Sequence, residues 1–140
     1  MYLFLDRPVH TLAEHNRFLV AAMRAWTSAT REGRCACRAL ANGFARRGVS
    51  GALPHFALAM AALDGEGLML LRFGDVGACV TSEDEARLLA LFACALEGDA
   101  PQAIRIAEQL VPPPTVQRLA TAVGLVALHL ANTVIEDFDK

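Results

Sequence analysis

The stretch LATAVGLVALHLANTVI, residues 119–135, carries no charged residue. At helical period Val116, Leu119, Val123, Val126, Leu130 and Val134 fall on one side, while Leu125, Leu128 and Ile135 fall on others. A helix that is apolar almost all round belongs at the centre of a bundle. Ala120, Gly124, Ala127 and Ala131 form a small-residue stripe along which a second helix can approach closely. The run falls short of the ~20 residues that span a bilayer. It also contains His129, Asn132, Thr121 and Thr133, which suits a protein core and implies no membrane partner.

The 140 residues suffice for one domain, residues 1–140, with its own core. The chain is 54% hydrophobic, above the ~45–50% usual for globular proteins, so it either buries nearly everything or shares a surface with a partner. The opening MYLFLDRPVH ends its apolar run at Asp6, Arg7 and Pro8, too early for a signal-peptide core. Four cysteines without an export signal read as reduced thiols, and a cytoplasmic location is expected.

Punctuation predicts the other helices. Thr11 and Glu14 have capping-box spacing ahead of a helix over residues 12–31, whose apolar side holds Leu12, Leu19, Met23 and Trp26. A second helix is expected over 34–47 with Gly48 as its C-terminal cap, and a third over 53–63 with Pro54 in the first turn and Asp-Gly-Glu-Gly after it. The segment LMLLRFGDVGACVTS reads as a short two-stranded hairpin or an extended excursion about Gly-Asp-Val-Gly. Ser82 with Glu85 caps a fourth helix over 83–97. Asp99 caps a fifth over 100–111, Pro112–Pro114 close it, Thr115 caps the last over 116–135, and EDFDK is a frayed tail. The expected fold is mainly α, a bundle of five or six helices with that excursion between the third and fourth.

Net charge is only −2, yet arginine crowds the first fifty residues. Were the first two helices continuous through Gly33, Arg17, Arg24, Arg31 and Arg38 would lie seven apart on one face, with Arg34 beside them. Those five make a candidate anion-binding face. The small negative net charge argues against a dedicated nucleic-acid binder, and a solvated face that pairs with carboxylates is the commoner meaning. The segment ALANGFARRGVSGALPHFALA resembles the turn of bacterial helix-turn-helix repressors. The Ala45-to-Gly48 interval is one residue short of that pattern, however, and Pro54 would fall inside the recognition helix.

Cys35 and Cys37 sit two apart in an expected helix, so they point to nearly opposite sides, and with Cys79 and Cys94 they read as structural thiols rather than zinc ligands. Cys79, on the extended piece with His55, Arg72 and Asp75 near in sequence, is the thiol best placed for chemistry, but nothing in the pattern supplies a base. No phosphate loop, dinucleotide fingerprint or His-Glu-x-x-His helix is present.

The middle of the chain, GLMLLRFGDVGACVTSEDEARLLALF, resembles an alphaproteobacterial family of unknown function in which an apolar, cysteine-bearing extended piece leads into a Thr-x-x-Glu helix start. Cys79 stands alone where that family shows a cluster, and the resemblance implies no activity, site or cofactor.

A non-enzymatic protein that acts through protein–protein interaction or self-association is therefore expected, with no cofactor or metal. Phe18, Met23 and Trp26 on the first helix are the expected interface of a homo-oligomer or a protein complex. The alternative is an anion or nucleic-acid binder using the arginine face.

Overall fold

The computed structural model describes residues 4–68 and 71–139, with side chains as far as Asn132. Six helices follow in order: α1 (Glu14–Arg31), α2 (Ala36–Arg47), α3 (Leu53–Glu66), α4 (Glu83–Leu96), α5 (Ala100–Leu110) and α6 (Pro113–Asp139). Short 3-10 turns precede α1 (Val9–Thr11) and α3 (Ser50–Ala52), and the described residues form no strand. The fold is the mainly α bundle that the periodicities imply.

Helix α6 is the hub. It packs on α3, α4 and α5, while α1 packs on α2 and α4 and α2 packs on α3. Leu119, Val123, Val126 and Leu130 are buried along its inner side. One side nevertheless reaches the surface, where Leu128 is 55% exposed. The expected close approach along the small-residue stripe does not extend to Gly124, because a methyl group added there would meet nothing within 4 Å. The side chains of Val134 and Ile135 lie outside those described.

Phe56 of α3 ties the layers together. Its ring lies 5.5 Å from Phe44 of α2, and 6.5 Å from both Trp26 of α1 and Phe92 of α4. These separations suit the edge-on and offset geometries that aromatic quadrupoles favour. Burying four large rings at one junction fixes how three helices meet the fourth.

Helix ends follow local chemistry with four corrections. Gly33 and Gly48 take φ of +72° and +80°, and the next amides, Arg34 and Val49, donate back to Ala29 and Phe44 at 2.8 and 2.9 Å. This is the left-handed stop that satisfies terminal carbonyls, and it makes α1 and α2 separate helices. Ser82 and Glu85 form the expected capping box, and Asp99 accepts from the Gln102 amide at 3.3 Å. Thr11, by contrast, does not cap α1. Its hydroxyl donates to the Pro8 carbonyl at 2.7 Å, and α1 starts after Ala13 with no side-chain cap. Likewise α6 begins at Pro113, since proline lacks only a donor that a first turn does not need. Thr115 thus falls inside that turn and donates to Glu66 at the end of α3 at 2.8 Å. At its far end α6 remains helical to Asp139, past the point where fraying was expected. The Asp-Gly-Glu-Gly stop lets α3 run on to Glu66.

Among the described residues the hairpin does not form, and the extended excursion does. Asp75 to Ala78 turn as expected, with the Ala78 amide donating to the Asp75 carbonyl at 2.9 Å. The two arms then pair elsewhere. On one side the Arg72 and Gly74 amides donate to the Asp84 and Glu85 carboxylates of α4 at 2.6 and 2.9 Å. On the other, Pro8 and Val80 form an isolated antiparallel bridge, flanked by Val9 N–H to Cys79 O at 2.8 Å and Thr81 N–H to Arg7 O at 2.9 Å. Acidic first-turn residues and the N-terminal segment outcompete a second strand for these amides. Met69 and Leu70 of the expected first arm lie outside the described residues.

Candidate functional site

Arg24, at the middle of α1, is only 4% exposed, and Glu85 beneath it is 0% exposed. The arginine Nε donates to Glu85 Oε2 at 2.8 Å and Nη2 donates to Oε1 at 3.0 Å. Nη1 and Nη2 also donate to the Ala78 and Val80 carbonyls at 2.8 and 3.0 Å. Glu85 also accepts from the Ser82 and Gly74 amides at 2.8 and 2.9 Å. Burial pushes the Glu85 carboxyl up, but hydrogen bonds from Arg24, Ser82 and Gly74, with the nearby positive charge, outweigh it and hold the group below the usual glutamate range. The pair is buried and bidentate, every nitrogen and oxygen of it is hydrogen-bonded, and it clamps residues 74–82 across α1 and α4.

This corrects the arginine face. Arg17 and Arg31 are exposed on α1, but the loop over their midpoint buries Arg24, so no continuous track exists. Gly33 then breaks the helix before Arg38, and Arg34 pairs with Glu32 at 2.6 Å. What survives is a basic surround on two helices. Helices α1 and α2 hold six arginines and one glutamate, Glu14, which lies 2.8 Å from Arg47 Nε. The N–H of that nitrogen is not aimed at the carboxylate, so the contact is a charge pair rather than a hydrogen bond. Arg17, Arg31, Arg38 and Arg46 are exposed and have no carboxylate partner among the described residues.

The expected interface side chains are also re-placed. Met23 and Trp26 are 0% and 8% exposed and belong to the bundle core, with the Trp26 indole N–H donating to Asp64 at 2.9 Å. They are not available to a second molecule. Phe18 is half-buried, set edge-on against Phe44 at 4.9 Å, and reaches the surface of a groove.

That groove, about 660 Å³, runs between α1 and α2. Because Glu14 at the start of α1 meets Arg47 at the end of α2, the helices are antiparallel. Ala21 and Ala25 line one wall, Ala39 and Gly43 the other, and Arg46 stands at the margin. A second groove of about 670 Å³ lies across α1, where Ala21 and Ala25 face Val9, Val76 and Cys79, with Arg17 at its edge. Two apolar grooves therefore share one alanine ridge. Periodicity points to Leu12, Leu19, Met23 and Trp26 as the apolar side of α1 and to neither groove. The small pairs four apart, Ala21 with Ala25 and Ala39 with Gly43, were the available signal.

The thiols and imidazoles do not converge. Cys35, Cys37 and Cys79 are exposed and Cys94 is half-buried, all as free thiols. Burial raises the Cys94 thiol, with Asp99 and Glu97 adding to the effect. His55 stacks on His129 at 6.0 Å on the α3–α6 side, whereas Cys79 lines the groove beside Val9 and His10. The structure does not bring His55 to Cys79. Among the described residues no three His, Cys, Asp or Glu side chains gather as a metal site, and no helix is long and apolar enough to cross a membrane. No family model, curated protein or solved structure matches the chain.

Proposed function

We propose that this is a small, non-enzymatic cytoplasmic protein that acts through protein–protein interaction, self-association included, at the exposed side of α1. The observation that carries the reading is the alanine ridge Ala21–Ala25, exposed to half-buried, between two apolar grooves. Apolar surface of this kind contributes about 25 cal/mol per Å² when covered, and small side chains let a second backbone come close. The interface is thus the opposite side of α1 from the Met23 and Trp26 face that periodicity suggests. Light scattering across a concentration series tests self-association. The protein should show a mass above that of one chain, and Ala21→Glu, at an exposed position, should return it to one chain while leaving helicity intact. A single-chain mass at every concentration removes self-association, and affinity capture in which parent and Ala21→Glu retain the same proteins removes the surface as a whole.

A further inference from the structure

We propose that the α1–α2 groove docks an acidic amphipathic helix of a partner protein, its apolar side against Ala21, Ala25, Ala39 and Gly43 and its carboxylates toward Arg46, in the groove, and Arg17, across the alanine ridge. The inference rests on the interaction reading above and specifies the partner.

Shape comes first. The walls are rows of residues four apart on antiparallel helices, the valleys into which the side-chain ridges of a third helix fit. A methyl group built on Gly43 meets nothing within 4 Å, so the groove stands open above that Cα. Helix α2 has 12 residues. At 1.5 Å per residue its length matches about three turns of an incoming helix. Phe18 closes one side with an aromatic surface of the kind that anchors aliphatic side chains.

Charge selects the sign of the partner. Of the six arginines on α1 and α2, Arg24 is neutralised inside the protein by Glu85 and Arg47 is matched by Glu14. The other four stand exposed without carboxylate partners among the described residues, and of these Arg46 lines this groove and Arg17 the one across the alanine ridge. Complementary carboxylates would gain steering and register from them. A nucleic acid fits less well. Phosphates need a continuous basic track, which the buried Arg24 interrupts, and the floor between the arginines is apolar.

Fluorescence anisotropy tests the proposal with a labelled peptide built of Glu-Ala-Leu-Ala-Glu-Leu-Leu heptads, and with its counterpart in which every Glu is Lys. The acidic peptide should bind saturably and more weakly as salt rises, and the basic one should not. Gly43→Met fills the groove at a position with free space, so it should weaken binding at least about tenfold. Its thermal midpoint should match or exceed the parent's, and the smaller Gly43→Ala should weaken binding by an intermediate amount. Arg46→Glu with Arg17→Glu should likewise lower affinity by at least about tenfold. Equal binding of both peptides, or unchanged affinity in Gly43→Met, overturns the proposal. Tighter binding of a mixed-sequence DNA duplex than of the acidic peptide at about 0.15 M salt overturns it in favour of nucleic acid. If the peptide fails while Ala21→Glu still alters assembly, the partner chemistry is wrong and the interaction surface stands. If both fail, so does the surface.

Discussion

Arg24 and Glu85 meet across 61 residues of sequence through two side-by-side hydrogen bonds, Nε to Oε2 at 2.8 Å and Nη2 to Oε1 at 3.0 Å. Each ion leaves water to do so, and the pair is stable because four of the five guanidinium N–H groups donate, two of them to Ala78 and Val80, and both carboxylate oxygens accept a second bond, from Ser82 and Gly74. Truncating one side strands the other. Glu85→Ala should cost about 3–5 kcal/mol in urea denaturation, the usual result of leaving an unpaired buried charge. Arg24→Met with Glu85→Leu should cost clearly less than the two single changes added together, because the partners act as a unit.

The same pair sets an acid limit. The folded Glu85 carboxyl titrates below its ordinary value of 4.5, so its contribution is fully present above that value and is lost as pH falls through the lower folded one. Unfolding free energy should decline from about pH 5 toward pH 2. In Glu85→Gln the starting stability should be lower and this part of the decline should vanish. A parent and variant whose stability curves run parallel through that interval would sink the assignment.

Three glycines separate free space from contact. Gly43 and Gly124 lie inside helices with nothing within 4 Å of an added methyl, so alanine at either should stabilise by up to about 1 kcal/mol through helix propensity. At Gly74 the methyl would come within 2.9 Å of Arg24 Nη2, a group pinned by hydrogen bonds to Val80 and Glu85. Gly74→Ala should therefore lower the melting temperature where the other two raise it.

Helix boundaries were legible where the signal is local. Ser82 and Glu85, three apart, state their own capping geometry, and Gly48 and Pro54 act through their own backbone limits. The clamp was not legible, because Glu85 already explained itself as a capping residue and nothing in the spacing points to Arg24. Arginines seven apart do share a side of α1, as the pattern says, but only the tertiary path of residues 74–80 buries the middle one. The hairpin turn was visible for the same local reason that its pairing was not. Turn chemistry belongs to Asp75 and Gly77, whereas the fate of the arms depends on acids of α4 and on residues 7–9.

Thiol reactivity should divide by burial. Cys35, Cys37 and Cys79 are exposed, while the half-buried Cys94 has its thiol raised first by burial and then by Asp99 and Glu97, leaving less thiolate near pH 8. Titration with an aromatic disulfide should show three fast equivalents and one slow one. Cys35→Ala with Cys37→Ala should change stability by less than about 0.5 kcal/mol, and chelators should leave the melting temperature unchanged. Four equal rates, or a chelator-induced loss of structure, would contradict this arrangement.

Trp26 distinguishes core from surface on α1. Its ring sits 6.5 Å from Phe56, edge-on, and its indole N–H donates to Asp64, so it joins α1 to α3 by packing and by one hydrogen bond. Trp26→Phe retains the ring contact and loses the donor, at about 1 kcal/mol. Trp26→Asp removes the packing and buries a carboxylate, at a cost of at least about 3–5 kcal/mol, much of what a small domain has. Circular dichroism should then show substantial loss of helix in Trp26→Asp and near-parental helix in Trp26→Phe and in the surface change Ala21→Glu. A folded, helical Trp26→Asp protein with altered assembly would return Trp26 to the interface and overturn the placement of the binding surface on the alanine ridge.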